Sequence, residues 1–276
     1  MERAPGADGT RGVIAYGPRH LSILPMRPSE RVEVDALRSL FSTGALREAG
    51  EAVAVRVDGI PGRELNRIAG LYDFSHLDEL AGVYDKRPYW VSLDPEAGLD
   101  EELVGRGYIR DGAWQKFERG VEPVEAHTDL DIAEARSAQD VAAFLRTSWG
   151  VPEDAARWLA ALAGHPDWHC FIAYDGGEPV GGGMLYAHDD AGWLGVASTR
   201  VDYRGRGAQS ALLAARIERA AKLGLRLLVT ETGAAEGAEP GTSYRNILRA
   251  GFEPVYVRPN YTASGAGSSS SSGSRP

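Results

Sequence analysis

Residues 204–210, with the sequence RGRGAQS, join an apolar, strand-like run that ends near Val201 to an amphipathic helix that begins near Gly207. Backbone N–H groups in the first turn of a helix have no partner within the helix, and glycine leaves them open to a ligand. The guanidiniums of Arg204 and Arg206 add positive charge at the same place. This strand, loop and helix therefore predict an α/β fold with an anion site, and a diphosphate is the expected ligand.

The composition predicts a folded globular protein in which contacts to phosphate are local. The chain has 276 residues, 43% of them hydrophobic, which is enough for one large domain or two ordinary ones. Its formal net charge of -9 argues against a basic surface for nucleic acid or an anionic membrane. The sequence contains no apolar run of membrane-spanning length and no secretion-type leader pattern, so we expect a cytoplasmic protein.

Cysteine and histidine give no sign of metal or redox chemistry. The single cysteine, Cys170, lies in the apolar run of residues 168–174 and is predicted to be a core side chain of a strand. His169 and His188 have no Cys, His or Asp partner at ligand spacing, so no metal site is expected.

The pattern of elements divides the chain into two lobes. The predicted parts are an N-terminal segment (1–29), a first lobe (30–120), a linker (121–128), a second lobe (129–261) and a disordered Ser/Gly tail (262–276). The second lobe has the predicted order β-α-α-β-β-β-α-β-α-β. Because antiparallel hairpins precede crossover helices, we expect an α/β (α+β) fold with a mixed, mostly antiparallel sheet flanked by helices.

A faint internal repeat supports the two lobes. Residues 89–108 and 225–252 share the order of a strand, a short helix, a glycine stop and an aromatic residue that starts a strand. In the first lobe, residues 72–75 follow a predicted strand at 65–71 but contain neither glycine nor arginine. The first lobe is therefore expected to lack the anion loop and to have a structural role beside the second lobe.

With these elements in place, the second lobe resembles the GNAT superfamily of N-acetyltransferases. Arg204 and Gly207 match the family's signature Arg/Gln-x-x-Gly-x-Gly/Ala between a strand and a helix. Residues 199–203 resemble its approach to that loop, and residues 243–252 resemble its later helix-and-strand motif. The resemblance covers roughly residues 129–261. Three positions depart from the pattern, with Gln209 for Gly or Ala, Val201 for a usual proline and Ile247 for a frequent tyrosine.

The resemblance implies direct transfer of an acetyl group from acetyl-CoA to an amine, with neither a metal nor a covalent enzyme intermediate. It implies that acetyl-CoA lies in a cleft between the strand ending at Val201 and the strand at 225–230. A strand N–H near Thr199 would donate to the developing oxyanion. The residues expected to hold the co-substrate are Ala197, Thr199 and Val201 on the strand, Arg204, Gly205, Arg206, Gly207, Ala208, Gln209 and Ser210 in the loop, and Asn246.

Two residues are candidates for proton transfer. Glu231 follows the strand at 225–230 and should emerge where the cleft opens, so it is a candidate general base acting through water. A solvated carboxylate at a strand end is the alternative. Tyr244 lies one helical turn before Ile247 and is a candidate acid for the thiolate, with packing at the helix start as its alternative. Asn246 is expected either to contact the co-substrate or to bond to local backbone.

Other classes of protein fit the sequence less well. Residues 205–210 nearly form a dinucleotide-binding fingerprint, but Ser210 replaces its third glycine and antiparallel strands precede it. A phosphate-loop NTPase is excluded because no Gly-Lys-Ser/Thr follows. A catalytically inactive acyl-CoA-binding sensor or interaction module remains the alternative function. The expected partners are a small-molecule or peptide amine substrate, no nucleic acid and no membrane, in a monomer or a homodimer.

Overall fold

The structure is a computed structural model that describes residues 25–41, 45–58, 60, 63–135, 137–235, 237 and 239–264. The elements of the first lobe are α1 (Pro28–Phe41), β1 (Ala45–Ala49), β2 (Ala52–Arg56), β3 (Arg67–Ala69), α2 (Leu77–Ala81), β4 (Trp90–Ser92), α3 (Asp100–Gly105) and β5 (Tyr108–Arg119). Those of the second lobe are β6 (Asp131–Glu134), α4 (Ala138–Trp149), α5 (Glu153–Ala160), β7 (Trp168–Asp175), β8 (Glu178–His188), β9 (Ala191–Thr199), α6 (Ala208–Lys222), β10 (Leu227–Gly233), α7 (Thr242–Arg249) and β11 (Glu253–Ala263). The order predicted for the second lobe is confirmed.

The strands of the described residues form one mixed sheet. Their order across the sheet is β1-β2-β3-β4-β11-β5-β10-β9-β8-β7-β6. The β3–β4 and β9–β10 pairs are parallel, and the other described pairs are antiparallel. The prediction of a mixed, mostly antiparallel sheet flanked by helices is therefore confirmed.

The two lobes exchange their last strands. β5 of the first lobe lies between β10 and β11, and β11 of the second lobe lies between β4 and β5. The pairs Tyr108↔Ala263 and Glu118↔Glu253, at the two ends of the β5–β11 ladder, mirror each other. The element order of the predicted repeat is confirmed as β4-α3-β5 and β10-α7-β11, and the last strands of the two copies pair antiparallel. Separation of the lobes would break the centre of the sheet.

Helices cover both faces of the sheet in the second lobe, and one of them comes from the first lobe. α1, α4 and α5 pack on one face over a core that includes Val34, Phe144 and Val229. α6 and α7 pack on the other face over a core that includes Ile217 and Leu228. The neighbours Leu228 and Val229 belong to different cores because side chains alternate along a strand. α1 contacts β9 and β10, so the first lobe covers the second at this point.

Cys170 is 2% exposed in β7, as predicted, and burial raises the pKa of its thiol to about 12. A thiol in this state is a packing group and a poor nucleophile at neutral pH. None of the helices in the described ranges is both long and apolar enough to cross a membrane.

Three boundaries differ from those that the sequence predicts. β9 ends at Thr199 rather than near Val201, because residues 201–203 form a 3-10 turn. Residues 262–263 belong to β11 and pair with β5, so the predicted tail cannot begin at 262. α1 begins at Pro28, where a proline suits the first turn of a helix. Residues 1–24 and 265–276, which contain most of both predicted terminal segments, lie outside the described residues.

Candidate active site

The parallel strands β9 and β10 separate partway along their length, and the gap between them is the candidate cleft. Their pairing runs from Ala191↔Leu227 to Leu194↔Thr230. The Thr230 hydroxyl donates a hydrogen bond of 2.8 Å to the Leu194 carbonyl at this last pair. Beyond it, β9 continues on β8 and β10 continues on β5. The hydrogen-bond pairing of β9 with β10 thus ends where the cleft is predicted.

A β-bulge in β9 lies where the gap opens. The β8–β9 pairing shifts from Gly182↔Ser198 to Met184↔Gly195, so Val196 and Ala197 lie opposite a single residue of β8. Val196 has a φ of 48°, which a β-branched residue rarely adopts. No sequence pattern predicts this bulge, because glycine would indicate a positive φ and valine does not.

Backbone groups of Ala197 and Thr199 face the gap. The N–H of Arg200 donates a hydrogen bond of 2.9 Å to the carbonyl of Val180 on β8. Backbone groups alternate between the two edges of a strand, so those of residues 197 and 199 point to the opposite edge. Val201 does not extend this edge, because its carbonyl accepts the Arg204 N–H at 3.3 Å within the 3-10 turn. The predicted place of Val201 on the strand is therefore wrong.

The loop before α6 carries unpaired N–H groups, as predicted. α6 begins at Ala208, and the first helical N–H with a backbone acceptor is that of Ala211, bonded to the Gly207 carbonyl at 3.0 Å. The N–H groups of Ala208, Gln209 and Ser210 have no acceptor in the part of the chain that the structure describes. They are available to an anion at the positive end of the helix dipole.

The two glycines of the loop have similar backbones and different surroundings. Gly205 has a φ of 82° and Gly207 a φ of 81°. A Cβ added to Gly205 would meet nothing within 4 Å, whereas one added to Gly207 would lie 2.1 Å from the backbone carbonyl oxygen of His127. Thr128 adds a hydrogen bond of 2.7 Å from its hydroxyl to the Arg206 carbonyl. The linker thus packs directly against Gly207, which has no room for a side chain.

The two loop arginines differ in their side-chain contacts. Arg204 is exposed, and its guanidinium has no hydrogen bond or ion pair with the described residues. Arg206 donates from Nε to Asp129 at 3.1 Å and from Nη1 to Asp175 at 3.0 Å, and these bonds raise the pKa of its guanidinium. Arg206 therefore fastens the loop to β7 and to the chain before β6. These two carboxylates hold the guanidinium, and the predicted contact of Arg206 to the co-substrate stays a prediction.

The two candidates on α7 have local contacts. The ring of Tyr244 packs edge-on against Phe117, with centroids 4.9 Å apart. Asn246 accepts a hydrogen bond of 3.2 Å at Oδ1 from Arg249 on the same helix. Ile247, at the position of the family's frequent tyrosine, is 5% exposed in the core. These contacts match the packing and local-bonding alternatives, and the roles of Tyr244 and Asn246 at the cleft stay predictions.

Glu231 lies beside the gap, but it is neither a free nor a solvated carboxylate. Its Oε2 accepts hydrogen bonds from Arg258 at 2.7 Å and from Lys116 at 3.0 Å. Its Oε1 accepts one from Arg67 at 3.2 Å, and the side chain is 10% exposed. Both oxygens are thus occupied by cations. A water that Glu231 activates would have to share them, and its role as general base stays a prediction.

These contacts belong to a larger group of charges beneath α1. Glu33 is fully buried and contacts Lys116, Arg67 and Arg258, with distances of 2.6 and 3.0 Å to the last. Burial alone would raise the pKa of Glu33, but the three cations hold it well below its ordinary value. We name this group the α1 ion cluster; it consists of Glu30, Glu33, Arg67, Lys116, Glu231 and Arg258.

The fold and the loop together define a mixed α/β domain with a candidate anion-binding loop. A mixed sheet with a splayed parallel pair leads through a glycine turn into a helix whose first N–H groups are unpaired. The sequence profile of the Acetyltransferase (GNAT) family matches residues 133–238. These residues form a domain of that family, which confirms the resemblance. Among the described residues, no group of His, Cys, Asp or Glu is arranged to hold a metal ion.

Solved structures of similar fold extend over both lobes. A GCN5-related N-acetyltransferase from Kribbella flavida is 20% identical, with a TM-score of 0.62 over 87% of this chain and 97% of that one. One from Sphaerobacter thermophilus is 18% identical, with a TM-score of 0.54 over 83% and 84%. A tandem GNAT protein from the clavulanic acid biosynthesis pathway is 16% identical, with a TM-score of 0.51 over 70% and 69%. At these identities the likeness shows the fold alone. No curated protein matches the chain.

Proposed function

We propose that the protein transfers the acetyl group of acetyl-CoA directly to an amine on a small molecule or a peptide. Membership of residues 133–238 in the GNAT family supports acyl transfer as the class of reaction. The observation that carries the proposal is the loop before α6, where unpaired N–H groups, the bare Gly207 and the free guanidinium of Arg204 lie together. A diphosphate suits this combination of backbone N–H dipoles and the exposed cation of Arg204.

In this proposal the co-substrate follows the open edge of β9. The diphosphate binds the N–H groups of residues 208–210, and Arg204 adds a charge-assisted hydrogen bond. The pantetheine arm pairs with the backbone of Ala197 and Thr199, as an added strand would. The thioester then lies beside the bulge at Val196, where the strand turns away from β10.

The chemical step needs an uncharged amine and a stabilised oxyanion. The amine nitrogen bonds to the thioester carbonyl carbon, and the carbonyl electron pair moves to the oxygen near the backbone N–H groups of the bulge. The pair returns as the C–S bond breaks and the thiolate of coenzyme A leaves. The acceptor's proton passes to water or, through water, to Glu231, and the thiolate is protonated by water or by Tyr244.

The two loop arginines give a matched test of the co-substrate site. We expect Arg204→Ala to weaken acetyl-CoA binding about tenfold, because it removes one charge-assisted hydrogen bond. Arg206→Ala should lower the melting temperature and change the affinity much less, since its guanidinium is held by Asp129 and Asp175. Isothermal titration with acetyl-CoA and a thermal melt measure both quantities. Unchanged affinity in Arg204→Ala would remove that residue from the site.

The pH dependence of turnover tests the proposed base. If Glu231 takes the proton, Glu231→Gln should depress kcat more at neutral pH than at high pH, where the amine is already uncharged. Release of coenzyme A, measured across a panel of amines, supplies the rates, and a melt of each variant reports damage to the α1 ion cluster. A loss of rate that is independent of pH would exclude Glu231 as the base. Tight binding without release for any amine would favour the inactive acyl-CoA-binding module.

A further inference from the structure

Arg216 on α6 is a buried guanidinium without an acidic partner. It is 1% exposed, and no described carboxylate forms an ion pair with it. Its Nε donates to the Leu212 carbonyl at 2.9 Å, and its Nη1 donates to the Met184 carbonyl at 3.3 Å. Arg67 and Arg258 are equally buried, but both are paired with glutamates. Burial lowers the pKa of Arg216 to about 10, so the group stays charged at neutral pH.

This charge packs against the residue of β8 that lies opposite the bulge of β9. Gly183 is the residue of β8 opposite Val196 and Ala197. A Cβ on Gly183 would lie 2.8 Å from Cζ of Arg216, 3.0 Å from Nη1 and 3.1 Å from Nη2. The guanidinium therefore packs against the backbone of Gly183. The bulge lies on the neighbouring strand, at a strand spacing of about 4.8 Å. A side chain at position 183 would displace the guanidinium.

A buried charge without a counter-charge costs stability. Two carbonyls satisfy only part of a guanidinium, which carries five N–H donors. Methionine at position 216 would fill much of the space between α6 and β8 without that cost. Packing between α6 and β8 therefore does not require a charge at position 216. The charge of Arg216 nevertheless lies near the backbone beside which the thioester is proposed to bind.

We propose that Arg216 is a positioning residue for acyl transfer, supplying a fixed positive charge that stabilises the thioester oxyanion through the backbone of β8 and β9. This inference rests on the proposed function. As the amine N–C bond forms, the carbonyl electron pair moves to oxygen; as the C–S bond breaks, the pair returns and the thiolate leaves, while the amine proton goes to solvent. The side chain is 1% exposed, so solvent screens the charge little, and the charge needs no reorganisation because packing holds it.

The infrared carbonyl band of bound acetyl-CoA, labelled with ¹³C at the carbonyl, tests this inference without any acceptor. A nearby positive charge polarises the C=O bond and lowers its stretching frequency. We expect the wild-type protein and Arg216→Lys to lower the band of the bound thioester, and Arg216→Met to return it toward that of free acetyl-CoA. With an amine substrate, Arg216→Met should lose about tenfold or more in kcat, with KM for acetyl-CoA within about twofold.

The outcomes distinguish a failure of this inference from a failure of the proposed function. An unshifted band in Arg216→Met relative to wild type would overturn the inference. A purely structural role would lower the melting temperature of Arg216→Met and leave the band in place, which overturns it as well. If the wild-type protein fails to bind acetyl-CoA, both the proposed function and this inference are wrong. Binding with a band that Arg216→Met does not move removes the inference alone.

Discussion

Alanine in place of Gly207 is expected to weaken acetyl-CoA binding by about 100-fold or more, whereas alanine in place of Gly205 should change it by only a few fold. Both glycines have a positive φ near 80°, so both substitutions carry a similar backbone cost of about 1–2 kcal/mol. They differ in space, because the Cβ at 207 would lie 2.1 Å from the His127 carbonyl oxygen and the Cβ at 205 would meet nothing. At 207 either the linker or the loop must move.

Movement of the loop matters because the proposed anion site requires the N–H groups of residues 208–210 to point toward one place. Loss of two or three charge-assisted hydrogen bonds predicts an affinity lower by about 100-fold or more for Gly207→Ala. Gly205→Ala should change the affinity by only a few fold. Isothermal titration with acetyl-CoA measures both, and a thermal melt shows whether each variant is folded. Equal affinities in two folded variants would contradict the assigned role of this loop.

Glu33→Gln is expected to be the most destabilising of the single substitutions considered for the α1 ion cluster. The side chain is fully buried and contacts three cations, Arg67, Lys116 and Arg258. Removal of its charge leaves three cations with two glutamates, and breaking a buried ion pair costs about 3–5 kcal/mol. Urea unfolding at neutral pH measures the loss. Glu218→Gln is the control, because the Glu218–Lys222 pair is exposed and should contribute little.

The same residue predicts how stability responds to acid. The folded-state pKa of Glu33 lies well below its ordinary value, so the unfolded chain binds more protons at mildly acidic pH. The contribution of Glu33 is therefore fully present above the unfolded-state pKa and is lost as the pH falls through the folded-state pKa. In Glu33→Gln, the free energy of unfolding should therefore fall less steeply as the pH is lowered through this range. Wild-type stability and an unchanged acid profile in Glu33→Gln would contradict the role of the cluster.

Local patterns in the sequence predict much of the fold. Alternating and helical periodicity give the element order of the second lobe, and the glycines of residues 204–210 give the anion loop. The repeat of residues 89–108 and 225–252 predicts the matching element order of β4-α3-β5 and β10-α7-β11. These features are visible because each depends on residues close together in the chain.

The features that the sequence does not predict depend on distant contacts. Glu33 and Arg258 are separated by 225 residues and Lys116 and Glu231 by 115, so each is an isolated charge in the sequence. Strand exchange brings them together. Arg206 has the residue type of a phosphate ligand, and only the fold shows that two aspartates hold it. Val196 carries no signal of its bulge, because the strain at that position is imposed by the pairing of β8 with β9.

The measurement that most directly tests the central claim compares acetyl-CoA with S-acetylpantetheine, which carries the same thioester without the diphosphate. If residues 204–210 hold the diphosphate, isothermal titration should show acetyl-CoA binding about 100-fold more tightly or better. Gly207→Ala should remove most of that difference. Equal affinities of the wild-type protein for the two thioesters, or no binding of acetyl-CoA, would contradict the account.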